Sequence, residues 1–125
     1  MKFILLFVFA LFISHRSFSQ VNLDDRKFAI NMFRSGTHDS FDTIYFKNGN
    51  LTYYTARKYG FAPAPYKAKE KKDGNVVGTA TNESKANGVM VWNFVVMNDS
   101  IAGTASFDTR VQNPVNYDFT GKEAK

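Results

Sequence analysis

Cysteine is absent from this chain of 125 residues, which excludes disulfides, thiolate metal sites, cysteine nucleophiles and a lipid anchor on cysteine. Any fold must therefore be held by its hydrophobic core alone. Histidine is nearly absent, at His15 and His38 only, and proline is confined to Pro63, Pro65 and Pro114. There is no helical hydrophobic periodicity, internal repeat or low-complexity linker, so helix bundles and solenoids are set aside. Long apolar runs are missing after the first turn of the chain's text, since the single one, Phe3 to Ile13, spans eleven residues.

That run follows Met1-Lys2 and leads to Ser17-Phe18-Ser19 before Gln20. A positive start, a short apolar stretch and small residues before a cleavage point predict a secretory signal peptide over residues 1–19. A permanent membrane helix needs about 20 apolar residues, so the mature chain is expected to have no transmembrane anchor. Residues 20–125 then form one domain, secreted or periplasmic, and cysteine-free export tilts toward a bacterial origin. Lys2 and Arg16 leave with the signal, and the net charge falls from +5 to +3. So mild a balance speaks of solubility more than of a partner.

Turn signals recur about every ten residues between short β-rich runs, as in antiparallel sandwiches and barrels. They are Ser35-Gly36, Asn48-Gly49, Gly60 to Pro65, Asp73-Gly74, Asn87-Gly88, Asn98-Asp99 and Gln112 to Pro114. The strands between them are predicted at 26–33, 42–47, 51–57, 65–71, 75–82, 89–97, 100–108 and 115–122. An even number of strands joined by short turns can close without exposed edges. The expected fold is all-β, an eight-stranded antiparallel up-and-down barrel.

Alternation with period two selects an inward face. It reads Phe28, Ile30 and Met32; Ile44 and Phe46; Leu51 and Tyr53; Tyr66 and Ala68; Val76, Gly78 and Ala80; Ile101, Gly103, Ala105 and Phe107; Tyr117, Phe119 and Gly121. In the strand from Val89 to Met97 both faces are apolar, which predicts cover by a neighbouring segment or a partner contact. Strands four, five, seven and eight contribute small inward residues, while the others contribute large ones. Two readings stay open: interlocked packing of large against small, or a lumen with room for a ligand.

Residues 40–122 resemble a family of small exported bacterial β-barrel proteins, lipocalin-like or calycin-like in architecture and mostly without assigned function. The resemblance is carried by Ile44-Tyr45-Phe46 with Asn48-Gly49, Tyr59-Gly60-Phe61 leading to Ala64-Pro65-Tyr66, Gly88 to Trp92, Asp99, Ile101, Gly103 and Thr104, and Tyr117, Phe119 and Gly121. It implies a barrel and no particular chemistry, since fold does not fix function.

Thr37-His38-Asp39-Ser40 with Asp42 is the densest polar cluster. Local side-chain to backbone bonding in a turn accounts for it better than a hydrolase or a metal site does. Three sequons begin at Asn50, Asn82 and Asn98, each expected at a turn. Lys67, Lys69, Lys71 and Lys72, with Arg57 and Lys58 upstream, form a basic ribbon that ordinary solvation explains, and export argues against nucleic acid. Glu70 is expected at a solvated strand end. The leading expectation is a non-enzymatic barrel without cofactor or metal, binding a small apolar ligand in or at its mouth through Tyr53, Tyr59, Phe61, Tyr66, Trp92, Phe94, Phe107 and Tyr117. The alternative is an envelope or secreted interaction module, monomer or weak homodimer, working through the apolar 89–97 strand and the 59–66 loop.

Overall fold

A computed structural model describes residues 20–125; the expected signal peptide lies outside the described residues. The strands are β1 (Lys27–Arg34), β2 (Thr37–Lys47), β3 (Asn50–Tyr53), β4 (Ala64–Glu70), β5 (Val76–Ser84), β6 (Gly88–Met97), β7 (Ser100–Asp108) and β8 (Val115–Glu123), with one 3₁₀ turn, Tyr54–Ala56, after β3. Each strand pairs antiparallel with its neighbours and β8 returns to β1, closing the barrel. No α-helix occurs among the described residues. The expected fold class and strand number both hold.

Ser35-Gly36 and Asn48-Gly49 turn with positive φ at both residues, the geometry that matches the right-handed twist of the flanking strands. Most boundaries fall within two residues of expectation, and two differ by more. β2 begins five residues early, at Thr37, because the Ser35-Gly36 turn lets β2 pair with β1 at once. β3 stops at Tyr53 rather than 57, since the chain coils into the 3₁₀ turn instead. The β3–β4 seam is correspondingly short, with Asn50 opposite Pro65 and Leu51 opposite Ala64. Pro65 has no N–H to give to a ladder.

The inward rows interlock by size. Trp92 on β6 stands between Ala80 on β5 and Ala105 on β7, and Phe94 stands between Gly78 and Gly103. Large groups on one strand thus fill the room that small ones leave on both neighbours. The rings then stack across the interior: Phe46 meets Phe28, Tyr66 and Phe94 at centroid distances of 6.1, 5.0 and 5.3 Å, and Trp92 meets Tyr53 and Phe119 at 5.2 and 5.3 Å. Of the two readings of small against large, interlocked packing is the one the core displays.

One end of the barrel is closed by residues 20–26, a strap that inserts Leu23 into the core. Val21 N–H donates to Ala68 O and Asp25 N–H to Phe46 O. The Tyr66 hydroxyl accepts from Leu23 N–H at 2.8 Å and donates to Asp24 at 2.9 Å. Arg26 and Glu123 fasten the same end at 2.7 Å, and the guanidinium hydrogen bond holds the Glu123 carboxyl below its ordinary range. Tyr66→Phe strips the buried Leu23 amide of its acceptor, so an unfolding cost of about 1–3 kcal/mol is expected in urea titration. Faster hydrogen exchange at the Leu23 amide should accompany it; unchanged exchange there would show that the hydroxyl is not the tether.

Candidate functional site

Five of the eight residues nominated as ligand contacts are core residues: Tyr53, Phe61, Tyr66, Trp92 and Phe94 are all at most 5 % exposed. Phe107 and Tyr117 are half-buried at the barrel end opposite the strap, and Tyr59 is 49 % exposed. The structure therefore gathers most of them as packing. Phe61 turns inward from the 57–63 loop onto Tyr53 and Phe107, at 6.0 and 5.8 Å, while Tyr59 points to solvent. The loop is a plug with one outward ring.

Two residues that the sequence reading left aside hold this plug. Asn82 is fully buried, and its Nδ2 donates to Leu51 O at 3.0 Å and Ala62 O at 2.9 Å. Ser84, 3 % exposed, donates to Tyr59 O at 3.0 Å. The signal was present, because Gly78, Ala80, Asn82 and Ser84 continue one alternation into the end of β5. The sequon at Asn82 is thus not at a turn, and no glycan fits on a side chain inside the core. The sequons at Asn50 and Asn98 do flank turns.

The Thr37 to Asp42 cluster is strand, contrary to the turn expected. Ladder hydrogen bonds to β1 won over local side-chain bonding once the turn had fixed the register. The His38 ring packs 4.5 Å from Phe41 and 5.5 Å from Phe33. Asp42 accepts from the Thr55 hydroxyl and from the Thr43 amide, anchoring the 3₁₀ turn. Burial, reinforced by the Asp42 charge, pushes the Tyr53 hydroxyl far above the ordinary tyrosine range. Burial also raises the Tyr117 hydroxyl, aided by Asp39 and opposed by Arg34, so both phenols stay protonated near neutral pH. No group of three or more metal-ligating side chains occurs among the described residues.

A concave feature of the wall lies outside the barrel, over β4 to β7. It is an open groove of 640 Å³. Register builds it from two cross-strand rows. One runs Lys67, Thr79, Asn93 and Thr104, and the next runs Lys69, Val77 and Val95, with Ala102 continuing that row beyond the groove. The inward positions between them, Ala68, Gly78, Phe94 and Gly103, contribute to the floor. The groove is amphipathic by row, and both rows begin at an exposed lysine. Among the described residues neither lysine has an ion-pair partner, and no carboxylate lines the groove. Val91 and Val95, on the outward face expected to be covered, are half-buried, while Met97 is exposed.

The fold and this groove define the class: a closed antiparallel barrel with a packed interior and an amphipathic recess on its wall. No protein family, curated protein or solved structure matches the chain.

Proposed function

We propose that this protein is an exported, non-enzymatic binding barrel that holds an anionic amphiphile, a single apolar chain with a carboxylate-like head, in the groove over β4 to β7. The supporting observation is two neighbouring unpaired lysines, Lys69 at the head of the apolar row and Lys67 at the head of the polar row beside it, on a wall whose inner side is already filled. The head group pairs with Lys67 and Lys69, and the chain lies across Val77 and Val95. Three interstrand spacings give roughly 14 Å of row, a span that suits a medium-length acyl chain. Export is part of the same proposal and rests on the sequence of residues 1–19. The site differs from the barrel mouth expected at first, because rings occupy the interior; it uses instead the outward face of the 89–97 strand.

Decanoate and decanol, titrated below micellar concentration and followed by amide chemical shifts, test the reading. Decanoate should shift the groove residues and bind more tightly than decanol. Lys67→Ala combined with Lys69→Ala should weaken decanoate by about fivefold or more, the factor that ~1 kcal/mol of exposed charge pairing sets, and leave decanol unchanged. Both lysines are exposed, so stability should move by less than about 0.5 kcal/mol. Equal binding of acid and alcohol, or shifts confined to Phe107 and Tyr117, would sink the groove as the site.

A further inference from the structure

The end of the barrel opposite the strap carries the 35–36, 54–63, 85–87 and 109–114 connections. Among the described residues five large hydrophobic side chains are exposed: Phe41 74 %, Tyr54 72 %, Tyr59 49 %, Val111 85 % and Met97 38 %. Three of the five, Tyr54, Tyr59 and Val111, belong to the connections of this end, while Phe41 lies within β2 opposite Asn31 and Met97 lies at the other end. Scattered apolar residues are ordinary on a surface, but a cluster on the tips of separate loops is not. Burial does not explain these positions, and at Tyr59 the side chain is held out by a backbone that is itself fixed, its carbonyl accepting from Ser84 and Asn87.

Charge at this end is asymmetric where it meets solvent. Arg34, Arg57, Lys58, Lys85 and Arg110 are exposed, and among the described residues none has an ion-pair partner. Three exposed carboxylates, Asp39, Glu83 and Asp118, accompany these five cations. Asp42 and Asp108 are half-buried and accept backbone N–H bonds from Thr43 and Arg110. Lys58 sits 5.7 Å over the Tyr59 ring, pairing a cation with an aromatic on one loop tip. Aromatic rings seek the boundary between headgroups and acyl chains, and clustered cations are drawn to an anionic leaflet. The wall above is unsuited to spanning a bilayer, with Lys67, Lys69, Asn93 and Asp118 facing out, where a spanning barrel needs a continuous apolar band.

We infer that this end docks on the surface of an anionic lipid bilayer, the tips of Tyr54, Tyr59 and Val111 entering the interface while Arg57, Lys58 and Arg110 meet the headgroups. Docking is peripheral and reversible. It stands on a different surface from the groove, and holds whether or not the groove takes a ligand.

Co-sedimentation of the mature chain with vesicles of phosphatidylcholine alone, or with roughly one-third phosphatidylglycerol, tests this. Binding is expected on the anionic vesicles at low salt, falling about tenfold or more as NaCl rises from ~0.05 to ~0.5 M. The triple variant Tyr54→Ser, Tyr59→Ser, Val111→Ser should lose binding, Arg57→Glu with Lys58→Glu should weaken it by at least about tenfold, and Met97→Ser should leave it unchanged. Hydrogen exchange of the unaltered protein supplies a readout independent of variant folding, with protection by vesicles expected at 57–63 and 109–112. The inference is overturned by absence of binding to anionic vesicles at low salt, equal binding to neutral vesicles, protection elsewhere, or a triple variant that binds normally. It is equally overturned if these residues prove to join two copies of the chain, seen as concentration-dependent dimers that the triple variant abolishes.

Discussion

Trp92→Ala is expected to lower the unfolding free energy by about 3–5 kcal/mol, the largest loss from any single truncation in this barrel. Trp92 is fully buried and is the largest side chain in the core. It links two halves of the interior, touching Tyr53 on β3 and Phe119 on β8. Its neighbours in register, Ala80 and Ala105, are too short to move into the space it leaves. The cavity therefore stays open, and the cost includes lost contacts as well as lost transfer free energy. Without a disulfide, no covalent link limits the damage. Urea titration of both proteins at equal denaturant slope measures it, and a melting midpoint lower by more than about 10 °C should accompany it. Trp92→Phe retains a ring and removes an indole N–H that has no acceptor among the described residues, so it should cost clearly less. A Trp92→Ala loss below about 1.5 kcal/mol would mean that the interior collapses around the gap, and that size interlocking is not what holds this fold.

The same interlocking explains which parts of the structure were legible in the sequence. Alternation named the inward residues of seven strands because each of those strands has one buried face, and a period of two is the trace one buried face leaves. The hairpin turns were legible through residues that tolerate positive φ, Ser35-Gly36 and Asn48-Gly49 above all. The first half of β2 was not. His38, Asp39 and Phe41 are exposed, so residues 37–41 carry no one-sided apolar pattern, and only their pairing with β1 makes them strand. The 3₁₀ turn escaped for a related reason, since the contact that anchors it, Thr55 on Asp42, joins residues thirteen apart.

The candidate sites divide along the same line. Aromatic residues drew attention as ligand contacts, yet a ring in a small barrel is first of all volume, and Trp92 and Phe94 are used that way. The groove was invisible because its rows exist only across strands. Lys69, Val77 and Val95 are far apart in the chain and adjacent in the ladder. Register cannot be read from any one strand, so the basic ribbon on β4 looked like ordinary solvation and the valines on β6 looked like a surface awaiting cover.

Gly103→Ala is expected to destabilise by about 3 kcal/mol or more, although alanine normally suits a strand better than glycine. A Cβ at this position would lie 1.9 Å from Asn93 O and 2.9 Å from Phe94 Cα. Both are backbone atoms of β6, which is paired on its two sides with β5 and β7. No side-chain rotation relieves the clash, and β7 must withdraw from β6, breaking ladder bonds at the centre of the wall. Phe94→Leu therefore should not rescue Gly103→Ala, because the obstacle is main chain. At Gly78 the nearest atom is instead the Phe94 ring, at 2.3 Å, with Lys67 O at 2.6 Å behind it, so the same second substitution should give partial relief there. Withdrawal of β7 also separates Thr104 from Asn93 across the groove, and decanoate shifts should shrink even in the fraction that stays folded. Denaturant midpoints of the two alanine variants, each with and without Phe94→Leu, decide the point. Rescue of Gly103→Ala, or a cost below about 1 kcal/mol, would show that β6 and β7 are not held as closely as this packing requires.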